Sequence, residues 1–191
     1  MRVISGSAKG LRLLSVPGDQ TRPITDRVKE ALFDIVGGDV VGSTWWDVYA
    51  GTGAVGIEAL SRGAAYARFT EMQGAALKTI RSNLASTRLA DRADVRQANA
   101  DALLASPPDR HFDYVYLAPP QYKGIWAQAC AALDANARWL SGDGWIVAQI
   151  HPKEYRSLQL NRLEEFDSRR YGTTLLVFFE GRLPRDEERP P

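Results

Sequence analysis

The stretch Thr44–Glu71, TWWDVYAGTGAVGIEALSRGAAYARFTE, holds the strongest structural signal in the chain. Its opening residues, Thr44–Tyr49, are mostly aromatic and apolar and read as a strand, with Trp45 and Trp46 as core residues. Gly51 and Gly53 break that run, a helix extends to Arg62, and Tyr66–Thr70 reads as a second strand. Strand, glycine turn, helix and strand in succession predict a βαβ unit with parallel strands.

The turn itself is informative. Gly51, Gly53 and Gly56 satisfy G-x-G-x-x-G, and Glu71 lies 20 residues after Gly51. On spacing alone this is the dinucleotide fingerprint, with the acid on ribose hydroxyls. Asp47 at the end of the first strand argues otherwise. A pyrophosphate seeks backbone N–H groups at a helix N-terminus, and a nearby carboxylate repels it. The same carboxylate suits a ligand carrying an ammonium group, as S-adenosylmethionine does. Glu71 then takes the ribose diol. Asp101, in ANADAL after the third strand, is placed to accept from the adenine amino group; it is equally a natural helix N-cap.

Outward from this unit the alternation continues. A helix at Gly74–Ser86, a strand at Ala93–Gln97, a short helix at Asp101–Ala105 and a strand at Phe112–Leu117 follow in turn. Next come a helix at Gly124–Asn136 and a strand at Trp145–Ile150. Glu164–Tyr171 and Thr174–Glu180 read as two strands around Gly172, which add an antiparallel element at one edge. Upstream, residues 2–5 and 11–16 flank GSAKG as an N-terminal hairpin, and Thr25 or Asp26 caps a helix to Val36. The expected architecture is α/β, a Rossmann-like, mostly parallel sheet with helices on both faces. Its expected parts are residues 1–40 as an N-terminal extension, 41–181 as the main domain and 182–191 as a flexible tail.

Composition narrows the function classes. At 191 residues, 45% hydrophobic and 25% charged, the chain has the makeup of one globular domain. No apolar run is long enough to span a membrane, and no secretory leader is evident in MRVISGSAKG, so a cytoplasmic location is expected. One cysteine, Cys130, and two scattered histidines, His111 and His151, offer neither a disulfide nor a zinc cluster, so no metal is expected. The net charge is +1, yet residues 1–30 hold six cations against three anions. Arg2, Lys9, Arg12, Arg22 and Arg27 are candidate contacts to an RNA backbone, or simply a solvated face.

MRVISGSAKGLRL, TRPITDRVKEALFDIV, DVYAGTGAVGIEALSRGA and RRYGTTLLVFFE, together with a proline pair after the fourth strand, carry a resemblance across nearly the whole chain. The chain resembles the RsmD-type family of bacterial small-subunit ribosomal RNA guanine-N2 methyltransferases, class I enzymes that use S-adenosylmethionine. The resemblance implies a seven-stranded methyltransferase sheet, an RNA-facing N-terminal extension and a monomer acting on 16S rRNA or an assembling small subunit. It also implies cofactor contacts at Asp47, Gly51, Gly53, Glu71, Asp101 and Ala102, with Tyr49, Ala50, Met72 and Ala118 among the candidates beside them.

The departure lies after the fourth strand. Family members read Asp-Pro-Pro-Tyr there; this chain reads Ala118-Pro119-Pro120-Gln121, with Tyr122 one place late. In the family pattern the acid and a proline carbonyl accept from the two amine N–H groups, and the tyrosine stacks on the flipped base. Ala118 accepts nothing, so Pro119, Pro120, Gln121 and Tyr122 are the remaining catalytic candidates. A non-catalytic RNA-binding or assembly factor that keeps the cofactor pocket, and a methyltransferase with a different target atom, are the alternative readings. A nicotinamide oxidoreductase rests on the glycine motif alone.

Overall fold

The computed structural model describes residues 1–17 and 24–182. Arg22, and the tail expectation beyond Arg182, lie outside the described residues. The strands are β1 Thr44–Asp47, β2 Tyr66–Glu71, β3 Ala93–Gln97, β4 Phe112–Leu117, β5 Leu140–Ile150, β6 Leu163–Tyr171 and β7 Thr174–Gly181. The helices are α1 Asp26–Val36, α2 Ala54–Ser61, α3 Gly74–Thr87, α4 Ala100–Ala105 and α5 Ile125–Ala135. The expected elements from the first helix onward are therefore present, with ends displaced by a few residues; β5 shows the largest change and begins at Leu140.

These strands form one sheet in the order β3-β2-β1-β4-β5-β7-β6. β1 pairs in parallel with both β2 and β4, while β7 runs antiparallel to β5 and β6. The order reverses direction at the β1/β4 junction, where an open α/β sheet leaves a crevice beyond the strand carboxyl ends.

Side-chain alternation builds the two layers. Trp45 points into the core formed with α1, α2 and α3, and Trp46 into the opposite core with α5. Both indoles are fully buried, and each donates its N–H, Trp45 to Ser43 and Trp46 to Thr70. Burying the ring and satisfying its one donor is what makes a tryptophan favourable in a core. Phe112 and Tyr114 would share a face by strict alternation, yet Phe112 joins the Trp46 core and Tyr114 the Trp45 core. The β4–β5 pairing slips between those two residues, which accounts for the switch.

The N-terminal hairpin is shorter than its sequence suggests, with a single antiparallel bridge, Arg2 to Arg12. Its backbone is tied instead to α2. Glu58 accepts from the Ile4 and Ser5 N–H groups at 2.8 and 2.9 Å, and Ser61 Oγ accepts from Ala8 N at 3.0 Å. Gly6 rides so close to Ser61 that a Cβ would lie 1.8 Å from its carbonyl oxygen. Lys29 reaches Glu58 at 3.2 Å and the Arg2 carbonyl at 2.6 Å, with its side chain fully buried. Burial pulls the Lys29 ammonium below its ordinary value while Glu58 works the other way. Lys29 therefore holds the fold together, and the positive excess of the N-terminal residues is smaller at the surface than in the sequence.

Candidate functional site

The glycine loop lies between β1 and α2 at the reversal of strand order. Gly51 and Gly53 adopt left-handed φ values of +53° and +76°, a region costly for residues with a Cβ. Gly56 serves a different need: a Cβ there would lie 2.4 Å from the Phe69 ring, so its absence lets α2 settle onto β2. All three glycine N–H groups are already engaged within the chain. Gly51 donates to Glu71 Oε2 at 3.0 Å, Gly53 to the Ala50 carbonyl at 2.7 Å, and Gly56 to Asp47 Oδ2 at 3.3 Å. A diphosphate bridge would find those donors taken, two of them by acidic side chains. The oxidoreductase reading loses its physical basis here.

Asp47 is not where the sequence argument puts it. Expected at the loop mouth, it is instead 2% exposed, beneath the loop. Burial pushes its carboxyl up to about 8, and the nearby Glu71 charge adds to the rise against the Gly56 hydrogen bond. Its burial favours the protonated form, and its Oδ2 accepts from Gly56 N at the start of α2. The β1 pairing on both sides explains this: residues at the end of a central strand are covered by the loops that follow it.

Glu71 takes the position at the crevice. Besides Gly51 it accepts from Met72 N at 2.8 Å and Gln73 N at 2.9 Å, both on Oε1. A carboxylate has about four acceptor sites, so the half-buried side chain keeps one on Oε2 for a ligand hydroxyl. Asp101 is not the cap of α4. Asn99 fills that role, accepting from Ala102 N at 3.1 Å, so the exposed Asp101 is free to accept from Tyr49 Oη at 2.8 Å. Burial and that carboxylate push the Tyr49 hydroxyl's pKa upward. Ala50 is buried beside the loop, while Met72 is exposed just after β2 and Ala102 is exposed in the first turn of α4. Gly51, Glu71, Tyr49 and Asp101 thus line one edge of the sheet. With open space where a Gly51 Cβ would project, these residues fit a polar nucleoside ligand.

Ala118–Tyr122 leave the sheet at the same edge, directly after β4. Ala118 is half-buried, Pro119 buried, and Pro120, Gln121 and Tyr122 exposed. Trp126 is buried at 2% and belongs to the core. Tyr122 adopts a left-handed φ of +62°, its N–H donating to Glu154 Oε1 at 2.6 Å and its ring lying 5.5 Å from that of His151. His151 and Glu154 were absent from the sequence-level candidates. Their signal was available: His-Pro-Lys-Glu has the spacing of a capping box, and His151 with Glu154 forms one around the turn Pro152–Glu154.

The basic candidates do not converge on one point. Arg2 and Arg12 line a cleft of about 500 Å³ with Met1, Gly10, Leu13 and Asp26. Arg2 is also paired with Asp26 at 3.4 Å. Lys9 and Arg27 are exposed elsewhere on the N-terminal segment and α1. The cleft is linked to the glycine loop: Thr52 Oγ1 lies 3.8 Å from Met1 Sδ. Asn83 joins them further, donating to the Thr52 carbonyl at 3.0 Å and accepting from Leu14 N at 2.7 Å. No group of three or more metal-ligating side chains occurs among the described residues, and no helix among them is long and apolar enough to cross a membrane.

Comparison with known proteins places this geometry in context. The family described as Conserved hypothetical protein 95 matches residues 1–180. YlbH of Bacillus subtilis, provisionally named an rRNA methyltransferase, is 40% identical over 156 residues, covering 81% of this chain and 84% of that protein. Ribosomal RNA small subunit methyltransferase D of Escherichia coli K12 is 35% identical over 149 residues, 78% of this chain and 74% of its own length. Among solved structures, the Escherichia coli protein yhhF, provisionally named a methyltransferase, superposes with a TM-score of 0.82 at 29% identity, covering 95% of this chain and 97% of that one.

Proposed function

The chain belongs to the Conserved hypothetical protein 95 family, of the RsmD type, and from that premise we propose that it is an S-adenosylmethionine-dependent RNA methyltransferase acting on the exocyclic N2 of a guanine in small-subunit ribosomal RNA. The observation that carries this reading is the strand-edge crevice itself. Its glycine N–H groups are turned inward onto Glu71, Ala50 and Asp47, and its free acceptors, on Glu71 and Asp101, face outward.

The residues fit the cofactor by chemical type. Glu71 would accept from the ribose diol, and Asp101, steadied by Tyr49, would accept from the adenine amine. S-adenosylmethionine, when bound, would supply an electrophilic methyl on a positive sulfur that leaves as a neutral thioether, and the acceptor nitrogen would release one proton to water. The chain's own part is alignment, which can lower such a barrier by several kcal/mol. The Pro119 carbonyl accepts one amine N–H, and Tyr122 offers its ring to the base. Arg2, Arg12, Lys9 and Arg27 would meet phosphates. This reading is tested by incubating the protein with labelled S-adenosylmethionine and small ribosomal subunits or their naked RNA, then resolving the nucleosides by mass. Labelled N2-methylguanosine is the expected product; a labelled base of another kind overturns the target atom, and unlabelled RNA overturns the activity.

Ala118 favours one second reading, a factor that binds cofactor and RNA without transferring methyl. It predicts a silent wild type in which Ala118→Asp combined with Gln121→Tyr transfers methyl.

A further inference from the structure

The segment His151–Tyr155, HPKEY, follows β5 and takes no part in the cofactor crevice, yet it shapes the loop where the family acid is missing. The turn Pro152–Glu154 is closed from both ends: His151 Nδ1 accepts from Lys153 N at 3.1 Å, and Glu154 Oε2 accepts from His151 N at 3.4 Å. Glu154's other oxygen reaches across to Tyr122 N at 2.6 Å, joining positions 32 apart in the chain. This is a short, charge-assisted bond to a backbone donor, among the stronger classes of hydrogen bond.

What it holds is unusual. Tyr122 sits at φ +62°, which a residue with a Cβ disfavours, and the residue is 66% exposed. Folding gains little from fixing an exposed ring in a disfavoured backbone conformation, and strain of this kind concentrates at sites that use it. Beside that ring stands His151, with centroids 5.5 Å apart and planes at 43°. With Nδ1 accepting from Lys153 N, Nε2 is the ring nitrogen that carries a proton and is left to donate. Such an arrangement suits a flat heteroaromatic ring with an acceptor on its edge.

We propose that the His151–Glu154 turn is the substrate-positioning element of this chain. Glu154 locks Tyr122, and Tyr122 with His151 receives the target base, so that stacking and clamping replace the hydrogen bond Ala118 cannot make. The proposal rests on the methyl-transfer reading above. Tyr122 and His151 touch the base; Glu154 acts through Tyr122 and is a positioning residue.

The test compares Glu154→Ala, Glu154→Gln and Tyr122→Ala with the wild type. Methyl transfer to small ribosomal subunits gives kcat and KM, and calorimetry gives S-adenosylhomocysteine affinity. Glu154→Ala is expected to lose about tenfold or more in kcat/KM for the subunits while the S-adenosylhomocysteine Kd stays within about twofold, because the cofactor crevice is separate. Glu154→Gln keeps one oxygen for Tyr122 N but loses the acceptor for His151 N, and is expected to fall between the wild type and Glu154→Ala. Tyr122→Ala should match Glu154→Ala, and the double variant should be no worse than either, since both remove one unit. The proposal is overturned if Glu154→Ala and Tyr122→Ala each leave kcat/KM within about twofold of the wild type, or if S-adenosylhomocysteine affinity falls in parallel. It is also overturned if Glu154→Gln is as damaged as Glu154→Ala. A wild type that methylates no ribosomal RNA defeats the functional reading and this proposal with it; an active wild type with indifferent variants defeats this proposal alone. Should Glu154→Ala fail to fold, Tyr122→Ala, altered only at an exposed side chain, decides.

Discussion

Replacing Asp47 by Asn isolates the burial of one carboxyl. The folded-state pKa is about 8, while an unfolded aspartate titrates near 3.9. Between those values the folded chain keeps a proton that the unfolded chain has lost. Stability from this group is therefore full at low pH and falls as pH rises, levelling off once the folded carboxyl has ionised as well. The slope approaches about 1.4 kcal/mol per pH unit well below the folded pKa and flattens near it, so that from about pH 6 to about pH 8 the loss is about 2 kcal/mol. The carboxamide of Asp47→Asn retains an oxygen for Gly56 N and does not titrate. Its fixed cost cancels when the stability difference between the two proteins is followed across pH, and the histidines, common to both, cancel too. Urea unfolding of both proteins at several pH values provides the measurement. The expected result is a wild-type stability that falls relative to Asp47→Asn by about 2 kcal/mol over that window. A difference constant to within about 0.5 kcal/mol would refute the reasoning. It would mean that Asp47 is ionised at neutral pH and available, after all, to face an ammonium group.

Glu71→Ala removes the acceptor for Gly51, Met72 and Gln73 N–H together with the free site for the ribose, and should weaken S-adenosylhomocysteine at least about tenfold by calorimetry; unchanged affinity would discard Glu71 as a ligand contact. Glu58→Ala strands the buried Lys29 ammonium and the Ile4 and Ser5 N–H groups, so about 3–5 kcal/mol of stability should be lost in urea titration, with faster proteolysis of the N-terminal segment. A loss below about 1 kcal/mol would show that the segment is held by its apolar contacts alone. Gly56→Ala drives a Cβ to 2.4 Å from the Phe69 ring and should cost about 1–3 kcal/mol, part of which Phe69→Leu restores in the double variant; additive losses would place the strain elsewhere.

The sheet was legible because its signals are local. Alternation of strand and helix, glycines at the turn after β1, and a tight turn at Gly172 are properties of neighbouring residues, and each fell within a few positions of the element it announced. The candidate crevice was legible for a related reason: Gly51 and Glu71 end adjacent strands, so their 20-residue spacing in a βαβ unit brings them together. How far each acid is covered was not legible: Asp47 and Glu71 both close strands in the sequence, and only the cover of β2, β4 and the loop over β1 decides that Asp47 is buried while Glu71 stays half-exposed.

What the sequence by itself determined, then, is the doubly wound sheet, the position of its glycine turn and the absence of an acid at residue 118. The tertiary structure alone decided which polar groups are consumed by the fold and which remain for a ligand. Lys29, one of the six cations of residues 1–30, disappears into Glu58, 29 positions away; Glu154 reaches Tyr122 across 32 positions. Such pairings depend on chain segments that meet only after the sheet has closed, and their worth is set by how much water that closure expels. Local periodicity carries no record of either.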